Sequence, residues 1–224
     1  NLCIGTSSFL TCHVPFKKTD LFHNMASLPS GIPGKYFIAN EQETSGACLN
    51  YLKDNIFFYK DELETDPGDK DVFELFSKIA ARSKPGSGKL IFTPWLYGER
   101  TPVDDHAIRG GFYNMSLQNT RADMIRSVYE GVAYNSRWLL KYVEKFAGKT
   151  FDSINVIGGG AKSSLWCQIL ADVMNRKINQ VNEPRHANAR GAAALAIVAL
   201  GYGTFEDIAK KTSIDKTYLP NPAN

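Results

Sequence analysis

The stretch Ile154-Asn155-Val156-Ile157-Gly158-Gly159-Gly160-Ala161 decides the fold. An apolar, β-branched run suited to a buried strand meets three glycines, and the residues beyond them carry a helical spacing. Residues 151–157 therefore read as a strand, 158–160 as a turn and 163–174 as a helix. Downstream, residues 177–181 read as another strand, and the alanine-rich run 189–200 as a helix that Gly201 stops. Upstream lies the longest helix, over 120–148. Thr120-Arg121-Ala122-Asp123 resembles a capping box with Asp in the Glu position, and Ile125, Val128, Val132, Leu139, Val143 and Phe146 share one stripe up to Gly148.

The first half of the chain has a different rhythm. Residues 1–14 run apolar on either side of Gly5-Thr6-Ser7-Ser8, which predicts two strands joined by a tight, hydroxyl-rich turn, and 35–39 is a further short strand. From Thr44 an amphipathic helix can run through Ala47, Tyr51, Leu52 and Asn55. Residues 61–70 are polar around Pro67-Gly68 and read as a loop. Val72, Leu75, Phe76 and Ile79 place a helix over 71–82, which Ser83-Lys84-Pro85-Gly86-Ser87-Gly88 ends. Leu90-Ile91-Phe92 starts a strand that enters the loop 93–111. Hairpin strands first and strand–helix alternation later imply an α/β fold with a mixed sheet.

Composition narrows the possibilities. The 224 residues are 43% hydrophobic and 22% charged, with a formal net charge of +3. These proportions suit a globular core, and they exclude a disordered or fibrous chain. Nucleic acid is not the expected partner of so mild a positive excess. No run approaches the ~18 apolar residues of a membrane span, so the expectation is a soluble protein. The chain opens on Asn1 and a core strand rather than a signal peptide, and reads as a piece of something longer. Cys3, Cys12, Cys48 and Cys167 lack CxxC spacing and sit among apolar neighbours, as reduced, intracellular thiols do.

Two segments could carry chemistry. Glycines at 158–160 let backbone N–H groups approach a ligand at a helix start, although a turn that binds nothing has the same pattern. It is not a dinucleotide fingerprint, because Ser163 stands where the third glycine of G-x-G-x-x-G would fall. Gly5-Thr6-Ser7-Ser8 offers backbone amides and three hydroxyls as a phosphate cradle, or an ordinary hairpin turn. Asp104-Asp105-His106 are too close in sequence to converge on one ion and read as a solvated loop, so no metal site is expected. His13, His23 and His186 have no evident Ser or Cys partner, and no carboxylate pair suggests a general base.

Six motifs in order carry a resemblance. Ile4-Gly5-Thr6-Ser7, Ser45-Gly46-Ala47, Tyr97-Gly98-Glu99-Arg100-Thr101-Pro102, Arg109-Gly110-Gly111, Glu130-Gly131-Val132-Ala133-Tyr134 and Gly158-Gly159-Gly160-Ala161-Lys162-Ser163 resemble the C-terminal half of the FGGY carbohydrate kinases, nearest the xylulokinase branch. The resemblance implies an actin-like, ribonuclease H-like ATPase domain with a mixed sheet flanked by helices. It implies ATP as phosphoryl donor with nucleotide-bound magnesium, a sugar acceptor such as the ketopentose xylulose, and gluconate or another polyol as the alternative. A non-catalytic actin-like module is the remaining reading. By the same resemblance Gly5, Thr6 and Ser7 hold phosphates, and Gly46 and Asn50 lie near the phosphates and ribose. Gly159, Gly160 and Ser163 contact adenosine, with Ser164 a substitute where Ser163 replaces the Asn of related glycerol kinases. The catalytic base, an Asp, is expected upstream of Asn1, so this chain carries no catalytic residue and is expected to be inactive alone. A sugar-binding N-terminal domain is an expected partner and the extreme C-terminus is expected to be missing. A homodimer and a cytoplasmic location complete what is implied, with no role for membrane or nucleic acid.

Overall fold

A computed structural model of the chain describes residues 1–57 and 71–224. The loop expected over 61–70 lies outside the described residues. At the centre is β1 (Leu2–Ile4), all three of whose residues are buried. A strand with neighbours on both edges and cover on both faces reads as a continuous apolar run, which is what Leu2-Cys3-Ile4 is. Beside it run β2 (Ser8–Leu10), antiparallel, and β9 (Ser153–Ile157), parallel. β10 (Lys177–Val181) lies parallel to β9, and β11 (Ile214–Tyr218) closes that edge antiparallel, giving the order β11-β10-β9-β1-β2. This is the mixed α/β sheet of the actin-like ATPases.

A second sheet has the order β3-β6-β5-β4, from β3 (His13–Val14), β4 (Thr19–Asp20), β5 (Met25–Pro29) and β6 (Tyr36–Ala39). β7 (Ile91–Thr93) and β8 (Gly111–Tyr113) form a separate hairpin. The sequence reading reached β6 and β7 but not β4, β5, β8 or β11; β4 and β8 are only two and three residues long, β11 is mostly exposed, and β5 has Ser27 rather than an apolar residue at its second buried position.

The helices follow their signals closely. α3 (Arg121–Ala147) starts at the expected capping box, in which Thr120 Oγ1 accepts from the Asp123 N–H and the Asp123 carboxylate accepts from the Thr120 N–H. It ends at Gly148, whose φ of 68° is the left-handed cap that glycine favours. Within it, a Cβ on Gly131 would stand 2.2 Å from the Phe92 carbonyl oxygen, so the glycine is what lets β7 lie against the helix. One turn earlier Arg126 pairs with Glu130 at 2.7 Å in a buried setting. Glu130 also accepts from the Gly86 N–H and the Ser87 hydroxyl, and Arg126 donates to the Ser83 carbonyl. The turn over 83–88 is thereby fastened to α3.

α1 (Gly46–Tyr51) gives way to a π-helical turn, Leu52–Ile56, within the helix expected from Thr44. α2 (Val72–Ala80) is capped by the Asp71 carboxylate, which accepts from the Phe73 and Glu74 N–H groups. α4 (Ser164–Met174) buries Trp166, Cys167, Ile169 and Leu170. α5 (Ala187–Ala199) and α6 (Phe205–Lys210) bury no residue. The alanines of α5 favour a helix by intrinsic propensity. All four cysteines are free thiols, and no helix among the described residues is long and apolar enough to cross a membrane.

Candidate functional site

The register Leu2↔Val156 and Cys3↔Ile157 ends β1 and β9 at the same edge, so the turns after them lie side by side. In open α/β sheets ligands bind in the crevice beyond the carboxyl ends of such strands. The first turn is clamped from behind by α1. The N–H groups of Ser45 and Ala47 donate to the Thr6 carbonyl, and that of Gly46 donates to the Gly5 carbonyl. The helix start is thus spent on the turn itself. A Cβ on Gly46 would stand 2.5 Å from the Gly5 oxygen, so Gly46 is a docking requirement of α1. Among the described residues, the N–H groups of Thr6 and Ser7 have no hydrogen-bond partner and are free for a ligand.

The three hydroxyls of this turn make separate contacts. Ser7 Oγ donates to Glu41 Oε1 at 2.8 Å, and Ser8 Oγ donates to Gln42 Oε1 at 3.2 Å. Both serve the segment that leads into α1. Among the described residues the Thr6 hydroxyl has no such partner.

The second turn has the opposite construction, with tight glycines flanking an open one. Gly158 has a φ of 91°, donates its N–H to the Pro184 carbonyl, and would place a Cβ 2.5 Å from the Ile4 oxygen. Gly160 would place one 2.4 Å from Ile4 Cγ2 and 2.8 Å from Trp166 Cζ3. Gly159 between them meets nothing within 4 Å and has an ordinary φ of −63°. A 3₁₀ turn, Gly160–Lys162, joins the glycines to α4, which starts where the sequence places it, with Ser163 as its N-cap.

Ser163 belongs to a hydroxyl cluster. Its Oγ accepts from the Trp166 N–H at 3.2 Å and lies 3.0 Å from Ser77 Oγ on α2. Ser77 in turn lies 3.1 Å from Tyr129 Oη and 3.0 Å from the Phe73 carbonyl. Tyr129 is 1% exposed, packs edge-on against Trp166 at 4.9 Å, and takes the Trp166 indole N–H on its carbonyl. Burial pushes the Tyr129 phenol up to about 12, so it remains a proton donor.

These elements surround a cleft of about 950 Å³. Of the residues singled out from sequence, Gly5, Thr6, Gly46, Asn50, Gly159, Gly160, Ser163 and Ser164 line it, and Ser7 does not. Sequence reasoning missed Phe73, Ser77, Tyr129, Lys162 and Arg185 as lining residues. Ser77 and Tyr129 sit on amphipathic helices, where their spacing says only which face they share. Lys162 sits within the motif Gly158-Gly159-Gly160-Ala161-Lys162-Ser163, where its charge is the one signal that could mark it. Neither Lys162 nor Arg185 has a carboxylate within ion-pair distance among the described residues, which leaves two cations on the cleft wall.

The loop that carries Gly98-Glu99-Arg100-Thr101-Pro102 is joined to the first turn from the other side. Glu99 is 1% exposed and accepts from Asn135 Nδ2 at 2.6 Å and from the Glu43 and Arg100 N–H groups. Burial holds its carboxyl above the usual range. Arg100 pairs with Glu41 and Glu43, and Glu41 is the acceptor of Ser7. Asp105 caps its own loop through the Ala107 and Ile108 N–H groups, while His106 faces Asp104. His13 bonds Ser30, and His23 pairs with Asp20. Among the described residues no group of three or more His, Cys, Asp or Glu side chains is placed to hold a metal ion.

The fold is that of an actin-like ATPase domain, with the cleft at the carboxyl ends of its parallel strands. Residues 1–200 match the FGGY family of carbohydrate kinases, C-terminal domain, and the chain belongs to that family. The xylulose kinase of Staphylococcus epidermidis is 35% identical over 227 residues, covering 100% of this chain and 43% of the relative. The gluconokinase of Bacillus subtilis is 30% identical over 166 residues, 74% of this chain and 32% of the relative. Among solved structures, the ligand-bound xylulose kinase of Lactobacillus acidophilus superposes with a TM-score of 0.83 at 28% identity, over 99% of this chain and 43% of that one. The chain thus spans less than half the length of these relatives.

Proposed function

We propose that this chain supplies the nucleotide-binding half of a cytoplasmic kinase that transfers the γ-phosphoryl of ATP to a hydroxyl of a ketopentose such as xylulose. The observation that carries the reading is the pair of adjacent turns, one with free N–H groups at Thr6 and Ser7, the other with an open backbone at Gly159. Phosphoryl transfer asks chiefly for positioning and charge stabilisation. In this reading the Thr6 and Ser7 N–H groups and the Thr6 hydroxyl hold phosphate oxygens, and Gly46 and Asn50 line the path toward the ribose. Gly159, Gly160, Ser163 and Ser164 meet the adenosine, while Lys162 and Arg185 supply positive charge. Magnesium arrives on the phosphates rather than on a protein site. The base that takes the sugar proton, and most sugar contacts, belong to an N-terminal domain, and a homodimer is a further proposal.

The ketopentose assignment draws on relatives named xylulose kinase, and gluconate is the second acceptor because a gluconokinase also matches. Coupled ADP release decides between them, with a sugar panel given to the 224-residue chain and to the chain extended upstream. The extended protein should prefer a ketopentose in kcat/KM, and the short chain should bind ADP and show no sugar-dependent turnover. A clear preference for gluconate or glycerol would overturn the acceptor assignment. Turnover by the short chain near the rate of the long one would overturn the placement of the base.

A further inference from the structure

We propose that Ser77 is a specificity-determining positioning residue that fixes the Ser163 hydroxyl as a hydrogen-bond acceptor, so that the cleft selects a purine carrying an amino group at position 6 over one carrying an oxo group. The inference rests on the nucleotide reading above and deepens it. It comes from counting protons in the cluster of Ser77, Tyr129 and Ser163.

Three hydroxyls hold three protons, and each hydroxyl oxygen can also accept. The Phe73 carbonyl, 3.0 Å from Ser77 Oγ, can only accept. The Trp166 N–H, 3.2 Å from Ser163 Oγ, can only donate. One assignment turns every contact of the cluster into a hydrogen bond. Ser77 donates to Phe73, and Tyr129 and Ser163 both donate to Ser77, at 3.1 and 3.0 Å. Both lone pairs of Ser77 and all three protons are then used. Ser163 has given away its proton and accepted once from Trp166, so what it has left for a ligand is a single lone pair.

In the nucleotide reading above the phosphates meet the Thr6 N–H and the adenosine meets Ser163, and Ser163 lines the same cleft as Phe73, Ser77 and Tyr129. A lone pair there accepts from the N6 amino group of adenine. Facing the O6 of hypoxanthine, it would set two acceptors against each other, and a buried mismatch of this kind is costly. The serine type at 163 therefore does not settle base choice by itself, since an unconstrained hydroxyl could donate as readily as accept. Ser77 removes that freedom.

Calorimetry of ADP and IDP on the 224-residue chain tests this, because the two bases differ only at position 6 and the adjoining ring nitrogen. The unmodified chain should favour ADP. Ser77→Ala frees the Ser163 proton to turn toward O6, and the ADP-to-IDP affinity ratio should fall about fivefold, roughly the worth of one neutral hydrogen bond. Because that change strands the buried Tyr129 hydroxyl, the double variant Ser77→Ala/Tyr129→Phe provides a second route and should lower the ratio equally. Tyr129→Phe alone leaves the Ser163-to-Ser77 bond intact, so the ratio should stay within about twofold. A ratio unmoved in both Ser77 variants, or moved as much by Tyr129→Phe, would overturn the role of Ser77 while leaving the nucleotide site standing. Failure of the unmodified chain to bind either nucleotide would overturn the site reading, and this inference with it.

Discussion

The turns after β1 and β9 are neighbours at one sheet edge, yet they are built on opposite plans. In the first, one glycine serves the scaffold. Gly46 lets the start of α1 reach the Gly5 carbonyl, and two of the three hydroxyls bond back into Glu41 and Gln42. What faces the cleft is backbone N–H and one threonine hydroxyl. In the second, Gly158 and Gly160 wedge against Ile4 and Trp166, and the single open position is Gly159. The contrast teaches that a glycine in a binding motif can be needed for the packing behind the loop or for the space in front of it. Only the neighbours of its absent Cβ tell the two apart.

The largest effect should come from the tightest position. Gly158→Ala combines left-handed backbone strain with a Cβ only 2.5 Å from a main-chain oxygen, and the strain and overpacking together should cost about 2–5 kcal/mol. Urea unfolding followed by circular dichroism would measure it, and a loss below about 1 kcal/mol would contradict the wedge. Next, Gly159→Val should leave the unfolding midpoint nearly unchanged and weaken ADP binding at least about tenfold, or ~1.4 kcal/mol. Unaltered affinity in that folded variant would make the second turn a plain connection.

A smaller effect separates the hydroxyls of the first turn. Thr6→Val should lower ADP affinity about fivefold, near 1 kcal/mol for one lost hydrogen bond, whereas Ser7→Ala should change it less than about twofold. Ser7→Ala should instead cost about 0.5–1.5 kcal/mol of stability through Glu41. Equal losses of affinity in the two variants would erase the distinction. The smallest effect compares the helices beneath the turns. Cys48 on α1 and Cys167 on α4 are both buried, and burial pushes both thiols up to about 12. The thiolate is the reactive form. Iodoacetamide at pH 8 should therefore spare both cysteines in the folded chain and label them in denaturant, and labelling of either in the native protein would show that its turn opens.

Much of the architecture was legible in the residues. The capping box at Thr120, the stop at Gly148 and the strand–turn–helix order around 158–160 are local signals that need no distant partner to form, and each recurs in the structure. Short strands such as β4 and β8 left no trace, because two or three half-exposed residues carry no readable period. The division of labour among the hydroxyls was equally invisible. Ser7 and Thr6 are adjacent and chemically alike, and what separates them is Glu41, 34 positions from Ser7.

The sequence by itself determined the α/β order, the helix ends and the set of glycine and hydroxyl motifs that mark the FGGY family, because capping, periodicity and turn chemistry act within a few residues. Tertiary structure alone decided which of those motifs face the cleft and which face the core. It also brought Ser77, Tyr129 and Ser163 within hydrogen-bond reach although they stand 52 and 86 positions apart from Ser77 along the chain. The physical reason is that hydrogen bonds and packing clashes extend only a few ångströms. Which groups meet across that distance is set by strand register and helix docking, not by the spacing of residues along the chain.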